Sequence, residues 1–318
     1  MEKASKLQHF PVSFFATDMG LAGLAISLQR AEKILYLPAG AGHAVTWGAA
    51  AVFLLLLGVY SAKVLRFRQE VLKEMAHPIK LSFFPTISIS LILLSIAFTG
   101  VNHSISFILF AVGSPLHLLF TLFVLSRWIG QSTFEIHHSN PSWFIPVVGN
   151  ILVPIVGVEH GQTEISWFFF SVGFVFWLVL QTIIFNRIIF HHQLPEKLIP
   201  TLFILIAPPA VGFIAYVKMV GSVDNFARLL YYFAFFILML LVALSRKFYN
   251  IKFYLSWWAY SFPIAAISIA SILMFNKTGN ALFQSISWAL LAGLVLIIGI
   301  LACKTVKAIA CGTICVED

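Results

Sequence analysis

The side chains that could do chemistry are few and scattered. Two histidine pairs, His137-His138 and His191-His192, lie near the ends of apolar stretches, the setting in which membrane di-iron oxidases carry their ligands. Such centres need about eight closely spaced histidines. The other six of the ten histidines here are dispersed along the chain, so a metal site is not expected. Cys303, Cys311 and Cys315 cluster near the C-terminus at a spacing that fits neither zinc nor redox chemistry, and they read as free thiols. No Gly-rich phosphate loop is present for nucleotide-driven work. Only Asp18 and His117 are ionisable groups deep within apolar segments. A charge at mid-bilayer costs at least ~2.5 kcal/mol, so Asp18 is expected to be protonated, paired or in contact with water. Three roles stay open for it: a neutral acid bonded to a backbone carbonyl, a proton-coupling site, or a charge facing an aqueous path. His117 reads as a buried, hydrogen-bonded side chain. No catalytic residue and no cofactor is expected, so the chain is not read as an enzyme.

The elements carrying these residues are membrane spans. Of 318 residues, 60% are hydrophobic and 10% charged, and mean hydropathy is +0.95. Apolar runs of about 20 residues match a hydrocarbon core of ~30 Å. Such runs fall near 10–30, 42–64, 79–100, 104–126, 142–158, 164–186, 199–219, 226–245, 253–275 and 281–303. Lys3 and Lys6 precede the first as they would a signal peptide, but it is long and has no convincing cleavage site, so it reads as a mature helix. The chain is expected to be one transmembrane domain, 1–318, with tails at 1–9 and 304–318.

The net charge of +8 does not imply nucleic acid, because the basic residues sit at span ends, where lipid headgroups meet them. Fifteen of the 20 Lys and Arg fall on the side of the termini, which places both termini in the cytosol. The basic segment 66–80, with Arg66 and Glu70 one turn apart, reads as a solvated extension of the second helix.

Helix pairs recur along the chain, which suggests five repeated hairpins. Within that repeat Pro11, Pro85, Pro146, Pro154, Pro208, Pro209 and Pro263 lie in odd spans, against Pro115 in an even one. Proline removes an amide donor, which is tolerated where neighbouring helices or a watery cavity satisfy the backbone. Odd spans are therefore expected inside, kinked at these prolines, and even spans outside against lipid. Ser82, Thr86 and Ser90 in the third span, Asn150 in the fifth, and Ser261, Ser268 and Ser271 in the ninth agree, either as lining or as small packing residues.

Four strings, His9-Phe-Pro-Val-Ser-Phe-Phe, Asn140-Pro-Ser-Trp-Phe-Ile-Pro-Val-Val-Gly-Asn150, Ala207-Pro-Pro-Ala-Val and Trp257-Trp-Ala-Tyr-Ser-Phe-Pro263, resemble the family of the bacterial tellurite-resistance protein TehA. That family includes plant guard-cell slow anion channels and fungal malate and sulfite transporters. The resemblance covers essentially the whole chain. It implies an all-α fold of ten spans, five inner helices in quasi-fivefold order around a pore, five outer helices, and a homotrimer in a bacterial inner membrane. It also implies that a phenylalanine of the ninth span, here Phe262, occludes the pore. Phe14, Phe15, Phe84, Phe144 and Phe213 are further lining candidates, for each of which packing is the competing role. The implied activity is conduction of small monovalent anions such as nitrate and chloride. The alternative is proton-coupled transport of C4-dicarboxylates, sulfite or related oxyanions. With no Lys or Arg central to an odd span, selectivity is expected from broken-helix dipoles, hydroxyls and the Asn150 amide.

Overall fold

A computed structural model describes residues 6–315; Lys3 and the outermost parts of both tails lie outside the described residues. Among the described residues the fold is entirely helical, with ten helical segments long and apolar enough to cross a membrane. They are Val12–Ile34, Ala41–Arg66, Lys80–Phe98, His103–Gly130, Pro141–His160, Thr163–Phe190, Glu196–Val220, Asn225–Ala243, Leu255–Thr278 and Ala281–Ala310.

Odd and even spans differ in backbone as well as in place. The even spans are uninterrupted α-helices: α2 (Ala41–Arg66), α5 (His103–Gly130), α8 (Thr163–Phe190), α10 (Asn225–Ala243) and α12 (Ala281–Ala310). Every odd span starts as a 3₁₀ turn and passes into α-helix: α1 (Phe15–Ile34), α4 (Thr86–Phe98), α6 and α7 (Phe144–Val148, Val153–Gly157), α9 (Ala207–Val220) and α11 (Ser261–Thr278). The prolines mark those handovers. Pro85 caps α4, and Pro146, Pro154, Pro208, Pro209 and Pro263 all lie in the first turn of their α-helices, where an amide has no intrahelical acceptor to lose. They end a tighter winding rather than bend a continuous helix. Pro200, which the sequence reading passed over, lies inside the 3₁₀ segment Glu196–Ile206.

Burial separates the two sets: the core windows of the odd spans are 72–94% buried and those of the even spans 28–33%. Contacts run in a closed order, α1 with α4, α4 with α7, α7 with α9, α9 with α11, and α11 back with α1. Each even helix lies over a junction of that ring, α2 on α1 and α4, α5 on α4 and α7, α8 on α7 and α9, α10 on α9 and α11, and α12 on α11 and α1. Leu54, Leu55, Leu119, Leu229 and Leu296 on the even helices point outward, as a lipid-facing surface requires.

The segment after the second span differs from its sequence expectation. The α-helix breaks at Phe67 (φ −131°, ψ 47°), and Arg68–Ala76 forms a separate helix, α3, that buries Val71 and Glu74. Glu74 explains the fold-back. Its Oε1 accepts from the Val12 amide (2.8 Å), and its Oε2 accepts from Tyr60 Oη (3.0 Å) and Lys63 Nζ (2.9 Å). Lys63 Nζ also donates to the Phe10 carbonyl at 2.7 Å. The pair ties α2 and α3 to the entry of the first inner span, so this segment is a separate, tethered helix and not a continuation of the second, while its outer face, with Arg68, Gln69 and Lys73, is exposed.

Candidate functional site

Inside the ring runs an axial passage in two parts. The larger, about 1030 Å³, lies toward the chain termini and is lined by all five inner spans, among them Ser13, Thr86, Phe144, Pro208 and Pro263. Its mouth carries Lys63, Lys73, Lys80 and Lys197, His9 and His77, against Glu70 and Glu74. Exposed Lys73, His77 and Lys197 mark where it meets solvent. The smaller chamber, about 30 Å³, lies beyond and is again lined by all five inner spans. Phe262, Leu152 and Val211 line both, so these three side chains form the partition.

Close packing holds Phe262 at the partition. Gly20 and Gly23 of α1 face the start of α11, where a Cβ on Gly20 would stand 2.3 Å from Ser261 Oγ. One on Gly23 would stand 2.8 Å from the Ala265 Cβ and 3.5 Å from a ring carbon of Phe262. Only glycine lets the two backbones approach so closely. The Ser261 hydroxyl turns back to donate to the Trp258 carbonyl (2.6 Å).

Thr86, Phe144 and Phe262 are the candidates that reach the passage, with Pro208 and Pro263 beside them. The remaining side chains turn into the wall. Phe14 stacks on Phe10 (4.5 Å between ring centres), Phe15 meets Phe53 and Tyr60 (5.8 and 6.1 Å), Phe84 meets Tyr60 (6.3 Å) and Phe213 meets Tyr231 (5.5 Å). The Asn150 amide donates to Thr121 Oγ1 (2.9 Å) and to the Val147 carbonyl (2.7 Å), joining the fifth span to α5 instead of offering a donor to an ion. Ser82 and Ser268 are buried with no hydrogen-bond partner among the described residues. The hydroxyls that are bonded serve mostly the backbone: Thr86 donates to the Phe83 carbonyl, Ser88 to Pro85 and Thr121 to Pro146. The wall is thus largely apolar, and the polar groups expected to line it are spent on the interrupted helices.

Asp18 is fully buried on α1, near Ser90 and outside the lining of both chambers, and neither carboxyl oxygen has a hydrogen-bond partner within bonding geometry among the described residues. His117 is buried on α5 with Nδ1 2.9 Å from Ser88 Oγ, a structural contact between outer and inner helices. Among the described residues no three His, Cys, Asp or Glu side chains are grouped to hold a metal.

Two features escaped the sequence reading. The inner mouth draws Lys63 from an even helix, through α3. The smaller chamber is bordered by the aliphatic stem of Arg30, which sits at the end of a span and was counted there only for topology. It shares the passage-facing stripe of α1 with Ile26, four residues earlier.

Ten spans, inner ones enclosing a partitioned axial passage, define an integral membrane transport protein. The chain belongs to the SLAC1 family, described as voltage-dependent anion channel, whose model matches residues 9–306. It is 30% identical over 274 residues to the S-type anion channel SLAH2 of Arabidopsis thaliana, covering 84% of this chain and 53% of that protein. It is 27% identical to the uncharacterized transporter MJ0576 of Methanocaldococcus jannaschii, with 86% of each chain covered. It is 25% identical to the tellurite resistance protein TehA homolog of Haemophilus influenzae, covering 95% of this chain and 92% of that one. The chain spans about half the length of the plant relative.

Proposed function

We propose that this protein is an anion channel, and not an enzyme, that conducts small monovalent anions such as nitrate and chloride through a pore in each protomer. Phe262 is the gate. The observation that carries this is that Phe262 stands at the partition between two chambers on one axis. An aromatic ring there blocks an ion, and a change of rotamer at modest cost clears the path. The basic mouth gathers anions, and the apolar wall beyond binds them weakly, so that those losing their hydration most readily pass best. Nitrate is therefore expected to outrun chloride. The quasi-fivefold inner ring, a homotrimer and a bacterial inner membrane with both termini cytosolic complete the proposal. It is supported by membership in a family described as anion channels.

The test is anion flux into proteoliposomes. Phe262→Ala is expected to raise chloride and nitrate flux by about tenfold or more. An unchanged flux in a correctly folded variant rules out Phe262 as the barrier.

A second reading, proton-coupled transport of dicarboxylates, sulfite or related oxyanions, is favoured by one observation, the unpartnered buried carboxyl of Asp18. If that carboxyl carries protons, Asp18→Asn abolishes uptake driven by a pH gradient. If uptake ignores the pH gradient in both proteins, coupling is excluded.

A further inference from the structure

Part of the wall of the larger chamber comes from beyond the last span. Thr313, Ile314 and Cys315 line that chamber, although they follow α12, an outer helix with none of its own residues on the lining. A built turn brings them there. At the end of α12 the Gly312 amide donates to the Ile309 carbonyl (3.1 Å) and the Thr313 amide to the Ala308 carbonyl (3.0 Å), the double closure of a Schellman motif. Gly312 takes the left-handed backbone that this turn needs (φ 66°). Ile314 and Cys315 then pack, half-buried, against the main core. Cys315 also has a left-handed backbone (φ 63°), a conformation that costs a residue with a side chain and persists only where its surroundings hold it. Its thiol lies near Lys6 and Lys63, at the entry of the first inner span, and burial pushes its pKa up in spite of them.

We infer that residues 313–315 are an autoinhibitory strap across the inner mouth, which slows the entry of anions from the side of the termini until it is displaced. The strap lies at the far end of the larger chamber from Phe262, so the two restrict the passage in series. Its role as a brake on conduction rests on the channel reading; its hold on the mouth does not. Two half-buried side chains are a light anchor beside a whole span, so the strap lifts without opening the ring. The hinge is Gly312, which belongs to no inner helix.

The chain has three cysteines, and the other two are exposed, so Cys303→Ser with Cys311→Ser leaves Cys315 as the single thiol. Its labelling by a sulfonated methanethiosulfonate, itself a small anion, is expected to quicken about tenfold with Ile314→Ser, which loosens the anchor, and with Gly312→Val, which strains the turn. Entry is read at Ala16, on the chamber wall within α1. With Cys315→Ala added, Ala16→Cys is expected to label about fivefold faster in both strap variants. In proteoliposomes carrying Phe262→Ala, the same two changes are expected to raise chloride flux by about twofold or more. Unchanged labelling of Ala16→Cys in both variants overturns the strap. Faster labelling with unchanged flux overturns its role as a brake. A Phe262→Ala protein that passes no anion overturns the channel reading, and labelling alone then decides whether this segment restricts the mouth.

Discussion

The third and seventh spans are more apolar than the second, yet they are buried while the second faces outward. Hydropathy therefore does not distinguish the inside of this protein from its outside, because lipid and a protein core make nearly the same demand on a side chain. The distinction lies in the backbone. Outer helices run unbroken and, except around Pro115 in α5, satisfy their own amides, as lipid requires; inner spans begin as 3₁₀ turns, change winding at proline and borrow hydroxyls to complete their bonding. Glycines divide by face and not by helix: Gly20 and Gly23 on α1 and Gly42 and Gly173 on outer helices have no space for a methyl, whereas Gly58 and Gly293, also on outer helices, meet nothing within 4 Å.

The sharpest way to break this contrast is where the second, outer helix reaches the entry of the first inner span. Lys63 and Glu74 are almost completely buried, with side chains 4% and 6% exposed. Lys63→Met leaves Glu74 uncompensated and is expected to cost ~3–5 kcal/mol, seen as a large fall in melting temperature. A variant melting within a degree or two of the native protein contradicts a buried, mutually dependent pair.

Smaller effects separate the glycines. Gly23→Ala pushes a methyl to within 2.8 Å of Ala265 and is expected to cost ~1–3 kcal/mol, while Gly293→Ala on α12 is neutral or stabilises by ~0.5–1 kcal/mol through helix propensity. Equal melting shifts of the same sign in the two variants remove the distinction between a glycine at a helix contact and one on an open face.

The smallest effect is a pH dependence at an outer helix start. Asp224 caps α10, accepting from the Ala227 amide at 2.9 Å and from the Tyr216 hydroxyl at 2.7 Å. The backbone bond first, and the tyrosine second, hold its carboxyl below the usual range. Its contribution is full above the ordinary aspartate pKa of about 3.9 and fades as pH falls through the lower folded value. Asp224→Asn keeps a capping oxygen, so its melting temperature is expected to lose less between pH 5 and pH 3, to the extent that Asp224 titrates in that window. An identical acid slope assigns the decline to other carboxylates.

Number, length and alternation of the spans were legible because the bilayer fixes the first two and the prolines report the third. The rotational phase of the inner helices was not. A helix enclosed on every side shows no polar stripe, and the passage wall is itself apolar, so Ser13 and Ala16 on the wall could not be told from Phe14 and Phe15 behind it. Asn150 drew attention as a donor, but its partners Thr121 and Val147 had first claim, and Thr121 lies on another span. The fold-back of α3 was hidden because its decisive bond joins Glu74 to Lys63 across a helix break at Phe67, at a spacing that signals nothing along a helix. Arg30 was hidden by its position at a span end, where positive charge already has a sufficient explanation in topology.

The ring of inner spans is closed by the contact between α11 and α1, the last and first of its members to be synthesised. A nascent protein that has made four of its hairpins is a trough with one missing stave, its hollow open sideways to the membrane. The seam closes only once residues 261–278 are in place, so Phe262 and the final plank of the wall arrive together.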